Sequence, residues 1–105
     1  MESQQLKQFV KDKIDDMKGR DIVELNVKGK STVTDTMVIC SGNSKRHVSS
    51  IAEHVQVEAK HAGHAPLNVE GKETGDWVLV DLGDIIVHIM QDEARDFYQL
   101  EKLWG

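Results

Sequence analysis

The sequence holds a single cysteine, Cys40. No disulfide can form within the chain, so a fold that depends on covalent staples is excluded. Cys40 lies inside an apolar run and reads as a small buried hydrophobe in a reducing compartment. Dense basic clusters are missing too; SKRH at 44–47 is the nearest approach. With 13 Lys and Arg against 18 Asp and Glu, the net charge is −5. Affinity for a nucleic-acid backbone comes from several clustered cations. Little direct nucleic-acid contact is therefore expected, and an acidic chain suits a basic protein partner. No apolar run approaches the ~20 residues that span a bilayer. The opening MESQQLKQFVKDK has no apolar signal region, which predicts a cytoplasmic protein without a membrane partner. No linker, internal repeat or low-complexity segment breaks the 105 residues, so one domain is expected over residues 1–105.

Hydrophobic periodicity supplies the elements. Leu6, Phe9, Val10, Ile14 and Met17 recur at helical spacing and predict a helix over 4–18, with Ser3 as its N-cap and Gly19 as its stop. DIVELNVK alternates, with Val23, Leu25 and Val27 on one side, as a half-buried strand does. TDTMVICS, residues 34–41, is β-branched and apolar and reads as a more central strand. GNS at 42–44 ends it and opens a helix whose buried face is Val48, Ile51, Ala52, Val55, Ala59 and Ala62. Gly63 closes that helix, with Pro66 just beyond. PLNVEGK reads as a short edge strand. The final segment, QDEARDFYQLEKLW, reads as one helix with acids in its first turn and an inner stripe of Phe97, Leu100 and Trp104. The order α-β-β-α-β-β-β-α predicts an α/β fold, a mixed sheet with helices mainly on one face.

The stretch GDWVLVDLGDIIVHIM carries the most functional information. Gly83-Asp84 is a two-residue hairpin signal. Counting outward pairs Asp81 with Ile86, Leu79 with His88 and Trp77 with Met90, and paired residues share a face. One face, Val78, Val80, Leu82, Ile85, Val87 and Ile89, is wholly apolar and must pack on helices. The other combines Trp77, Leu79, Asp81, Ile86, His88 and Met90. Burying Asp81 and His88 without partners costs several kcal/mol, so this face is expected to stay open as a docking surface. Trp77 and Met90 are its expected anchors, and Tyr98 extends its edge.

Other chemistries are poorly served. Asp81 and His88 are diagonal neighbours within reach of a hydrogen bond, but no serine or cysteine stands beside them as a nucleophile. His47, His54 and His61 are spaced seven residues apart, about 10 Å along a helix. That spacing is too wide for one metal ion, so no metal or other cofactor is expected. The strand–SGNS–helix junction could hold an anion at its helix N-terminus. Glycine followed by serine in such a turn also occurs in nucleotidyltransferases. Those enzymes need an acidic pair on the next strand, which PLNVEGK lacks. Ser44 or Asn43 as an N-cap explains the turn without a ligand.

Taken together, Thr34-Asp35, the Gly42-Asn43-Ser44 turn with Arg46 and His47, Glu70-Gly71 and DWVLVDLGDIIVHIM resemble the Iojap, or ribosomal silencing factor, family along nearly the whole chain. The middle of the Gly-x-Ser turn is often threonine in that family; here it is Asn43. The resemblance implies a nucleotidyltransferase-like fold without transferase activity. It further implies binding to the large ribosomal subunit through large-subunit ribosomal protein fourteen. A factor bound there would obstruct subunit joining and lower translation when nutrients are scarce, and a part in large-subunit maturation is implied as well. The alternatives are an enzyme that binds nucleotide at Gly42–Ser44 and a homodimer formed through the same open sheet face.

Overall fold

The computed structural model describes residues 1–104. The chain runs through α1 (Ser3–Asp16), β1 (Arg20–Asn26), β2 (Thr36–Gly42), α2 (Lys45–His61), β3 (Asn68–Glu70), β4 (Trp77–Asp81), β5 (Ile85–Gln91), α3 (Asp92–Tyr98) and α4 (Leu100–Trp104). The strands form one mixed sheet in the order β1-β2-β5-β4-β3. Only β2 and β5 pair in parallel; the other three pairings are antiparallel. All seven residues of β2 are buried, as its β-branched and apolar sequence requires of a central strand. The three-residue β3 closes one edge, the place predicted for the proline-led strand.

The helices follow from local chemistry, with small departures from the sequence reading. α1 begins one residue earlier than Ser3 would set it. Glu2 and Gln5 form a capping box, in which the Gln5 side chain accepts the Glu2 N–H at 3.1 Å. This reciprocal pair satisfies two amides that would otherwise lack partners. α2 starts at Ser44, whose hydroxyl accepts the His47 N–H at 3.0 Å. It stops at Ala62 and Gly63, the latter with φ +80°, a left-handed conformation that glycine adopts without strain.

Leu6, Val10 and Ile14 of α1 and Val48, Ile51, Ala52, Val55 and Ala59 of α2 are buried against one sheet face. That face presents Val38, Cys40, Val78, Val80, Ile85, Val87 and Ile89. Ala62 is exposed and lies outside the predicted stripe. Each large aliphatic side chain buried here contributes roughly 1.5–3 kcal/mol of transfer free energy.

The C-terminal segment departs most from expectation. It is two short helices, not one, because Gln99 takes φ 49° and ψ 54° and ends α3. The break turns α4 so that Leu100 and Trp104 pack onto the second sheet face, where Leu100 joins Val27, Met37, Ile39 and Met90 in a separate buried cluster. Phe97 drops out of the stripe and is 80% exposed. Helices therefore occupy both faces, with the two long ones on one side and the short pair over part of the other.

Candidate functional site

The β4–β5 hairpin has the predicted register: Trp77 opposite Met90, Leu79 opposite His88 and Asp81 opposite Ile86. Val78, Val80, Val87 and Ile89 face the long helices and are fully buried. The opposite face is divided rather than open. Met90 is 0% exposed and His88 only 4%, which corrects the expectation that both stand in solvent. Met90 is sealed because Val27, delivered from beyond the end of β1, and Leu100 of α4 converge on it. Trp77, Leu79, Asp81 and Ile86 are half-buried, and Trp77 packs on the edge of the same cluster.

His88 is built into this face as a neutral acceptor. The Trp77 indole N–H donates to His88 Nδ1 at 2.9 Å. An indole nitrogen only donates, so Nδ1 carries a lone pair and the ring proton sits on Nε2. Burial pushes the ring pKa down from 6.5 to about 4, because the imidazolium would lose its hydration. Asp81 does not meet His88 as the diagonal placement allowed. Its carboxylate instead accepts the Gly83 N–H at 2.8 Å, which tightens the hairpin turn, as aspartate side chains commonly do. The Asp-His pair is thus divided between a turn and a tryptophan contact, leaving no dyad to activate a nucleophile.

An exposed aromatic corner borders the half-buried strip. Tyr98 packs against Trp77 at a tilt of 49° with ring centroids 4.7 Å apart, and Phe97 meets Tyr98 edge-on at 5.0 Å. Asp76, Glu93, Trp77, Phe97 and Tyr98 line a concave surface here. The side chains of Asp92, Glu93 and Asp96 are exposed around it. On the far side of the strip Val33 is 68% exposed. Phe97 and Val33 were missed as surface residues. The helical stripe drew Phe97 inward on paper, and Val33 sits in a loop without periodicity.

The Gly42–Ser44 turn is fully engaged in structure. Ser44 caps α2, and the Asn43 side-chain oxygen accepts from Arg20 Nε at 2.7 Å. Arg20 also pairs with Asp92 at 2.9 Å, so one guanidinium joins the start of α2 to the start of α3. His47 accepts the Asn43 N–H through Nδ1 at 2.9 Å and donates from Nε2 to the Met17 carbonyl at 2.7 Å. A β-carbon on Gly42 would come within 2.8 Å of Val48, so the glycine permits close strand–helix approach. His54 pairs with Asp16, and His61 with Glu58. Among the described residues no cluster of His, Cys, Asp or Glu could hold a metal ion, and no helix is long and apolar enough to cross a membrane.

Comparison with known proteins places this arrangement in a family. The model of the family described as "Ribosomal silencing factor during starvation" matches residues 1–105. A ribosomal silencing factor from Haemophilus influenzae is 52% identical over 100 residues, covering 95% of this chain and 98% of its own. A mouse protein named for mitochondrial assembly of the ribosomal large subunit is 38% identical over 88 residues, covering 81% of this chain and 39% of its own. A crystal structure of a Chromobacterium violaceum protein superposes with a TM-score of 0.97 at 41% identity, covering all of this chain and 88% of the other. A family match over its whole length, a relative at 52% identity and a fold shared with a solved structure at 41% identity together place the chain in the ribosomal silencing factor family.

Proposed function

We propose that this chain represses translation by binding the large ribosomal subunit and blocking the small subunit from joining, notably when nutrients are limiting. The observation that carries this reading is the half-open strip of Leu79 and Ile86 beside the exposed Tyr98–Phe97 corner. Apolar and aromatic surface of this kind, rimmed by acids on a chain of net charge −5, suits a basic protein. Large-subunit ribosomal protein fourteen is the proposed contact. The name of the mouse relative, which refers to large-subunit assembly, supports the choice of subunit and a further part in its maturation. The action is by occupancy and not by catalysis, and the proposed compartment is the cytoplasm. A body of 32 × 30 × 21 Å seated on the subunit surface denies that area to the small subunit.

Within the strip, Leu79, Ile86 and Tyr98 supply apolar contact, and the outer face of Trp77 is held in place from behind by His88 and Tyr98. Met90 and His88 act from beneath, as support for Trp77. The test is cosedimentation of the Leu79→Asp/Ile86→Asp double variant with purified large subunits. Both side chains are half-buried, so the fold should survive while binding weakens about 30-fold or more, equivalent to ~2 kcal/mol. Undiminished binding by a folded double variant rejects this surface. Sizing of the same variant alone decides whether a homodimer uses the strip.

A further inference from the structure

The aromatic corner rides on α3, which little apolar burial holds in place. No residue of this seven-residue helix is buried, and Ala94 reaches just the edge of the second cluster. Helices this short are not stable alone in water. The chain then turns at Gln99, with φ 49° and ψ 54°, and such a break leaves the angle between α3 and α4 open. Phe97 is 80% exposed and Tyr98 48%, so neither ring is sunk into the fold.

Arg95 closes this gap. Its Nη1 donates to the Ser41 hydroxyl at 2.9 Å, and its Nε donates to the Glu101 carboxylate at 3.2 Å. The first bond ties α3 to β2; the second crosses the break and ties α3 to α4. The Arg95 side chain is 11% exposed and Ser41 1%, so water competes poorly for their bond. A guanidinium presents its donors in one rigid plane, and two bonds from that plane fix one angle for the helix. Tyr98, three residues further along α3, is thereby set against Trp77. Arg20 holds the start of α3 through Asp92, but that pair lies at the surface, where ion pairs contribute little.

We propose that Arg95 is a positioning residue for partner binding and acts through Tyr98. The proposal rests on the reading of this face as the docking surface. Arg95 has almost no surface of its own to offer a partner. It holds α3 at the angle that places the Tyr98 ring before the partner arrives, so the segment need not be ordered on binding. Lysine cannot replace it, because an ammonium lacks the planar fork that spans Ser41 and Glu101.

The experiment is a double-mutant cycle on the full chain, read by cosedimentation with purified large ribosomal subunits and by NMR of the free protein. Tyr98→Ala is expected to weaken binding about tenfold or more, and Arg95→Met by about five- to tenfold. Added to Tyr98→Ala, Arg95→Met should cost no more than about twofold further, because residues that act as one unit are not additive. In the free Arg95→Met chain, NOEs between the Tyr98 ring and the Trp77 indole should weaken while amide exchange in β2 and β5 stays as in the wild type. Arg95→Lys should not restore binding. If Arg95→Met does not fold, Glu101→Ala cuts the α4 arm alone and carries the same cycle with a loss of about threefold. Full additivity of the two substitutions, or unchanged Tyr98–Trp77 NOEs, overturns the proposal and leaves the docking surface standing. Wild-type binding by Tyr98→Ala overturns the proposal together with the assignment of this corner to the partner.

Discussion

Acidification tests the His88 environment directly. The ring's folded pKa is about 4 against 6.5 for the free side chain. Below pH 6.5 the unfolded chain binds a proton that the folded chain refuses, so stability falls as pH drops from 6.5 toward 4. Above 6.5 the contribution is constant and fully present. Protonation of the native ring would place an N–H at Nδ1 against the Trp77 N–H that it now accepts, and would leave an imidazolium without hydration. At about pH 4.5 the expected loss relative to neutral pH is about 2.5 kcal/mol from this residue alone, by the linkage relation at 1.36 kcal/mol per pKa unit. Carboxylates titrate over part of the same range, so the comparison is with His88→Phe. Urea unfolding of both proteins is measured from neutral pH down to about pH 4.5. The wild type should lose more stability than the variant by roughly that amount. The variant starts lower, since the Trp77 N–H has lost its acceptor, but only the change with pH matters. Parallel pH profiles for the two proteins refute the reasoning.

Three further outcomes follow from the packing. Met90→Ala empties a fully buried position in the second cluster and should lower stability by about 2–5 kcal/mol, read from denaturant midpoints; a loss below about 1 kcal/mol contradicts its burial. Gln99→Gly relieves a left-handed residue at φ 49° and should raise the melting temperature slightly, by about 0.5–1 kcal/mol of stability, whereas a lower melting temperature means that Gln99 contributes more than its backbone angle. Burial pushes the Cys40 thiol up to about 12, so at about pH 8 the native protein should resist iodoacetamide while the urea-unfolded chain reacts readily; equal rates would show that the strand is accessible in the folded state.

The hairpin was legible because two glycine-and-aspartate turn residues sit between apolar runs of alternating orientation. That local signal fixed every pair from Asp81–Ile86 to Trp77–Met90. The central place of β2 and the edge place of β3 were legible for similar reasons, one being rich in β-branched and apolar residues and the other led by proline. What covers the second face was not legible, because it is decided by distant segments. Met90 is buried by Val27 and Leu100, and Leu100 arrives only because the chain turns at Gln99. Glutamine carries no left-handed signature as glycine or asparagine does, so the helical stripe read straight through it. The Asp81–His88 contact failed for a related reason. Asp81 found its partner within its own turn, and His88 took its other diagonal neighbour, Trp77, instead of Asp81. Arg20, which joins Asn43 to Asp92, had no motif to announce it, since its partners lie 23 and 72 residues away.

The parallel seam between β2 and β5 has a bearing on how the molecule comes into being. Thr36 lies beside Ile85, and Gly42 beside Gln91, so the middle of the sheet joins segments made early and late in synthesis. A nascent chain that has emerged through α2 holds β1 and β2 as a lone ribbon, with two helices and half a platform to rest on. Pairing across so long a loop is slow, and until it happens the apolar sides of both helices have only the β2 part of their counterpart, Val38 and Cys40. Folding is therefore a late event, completed once nearly all of the polypeptide is free. A stop codon before residue 85 would remove the keystone and not merely trim the end.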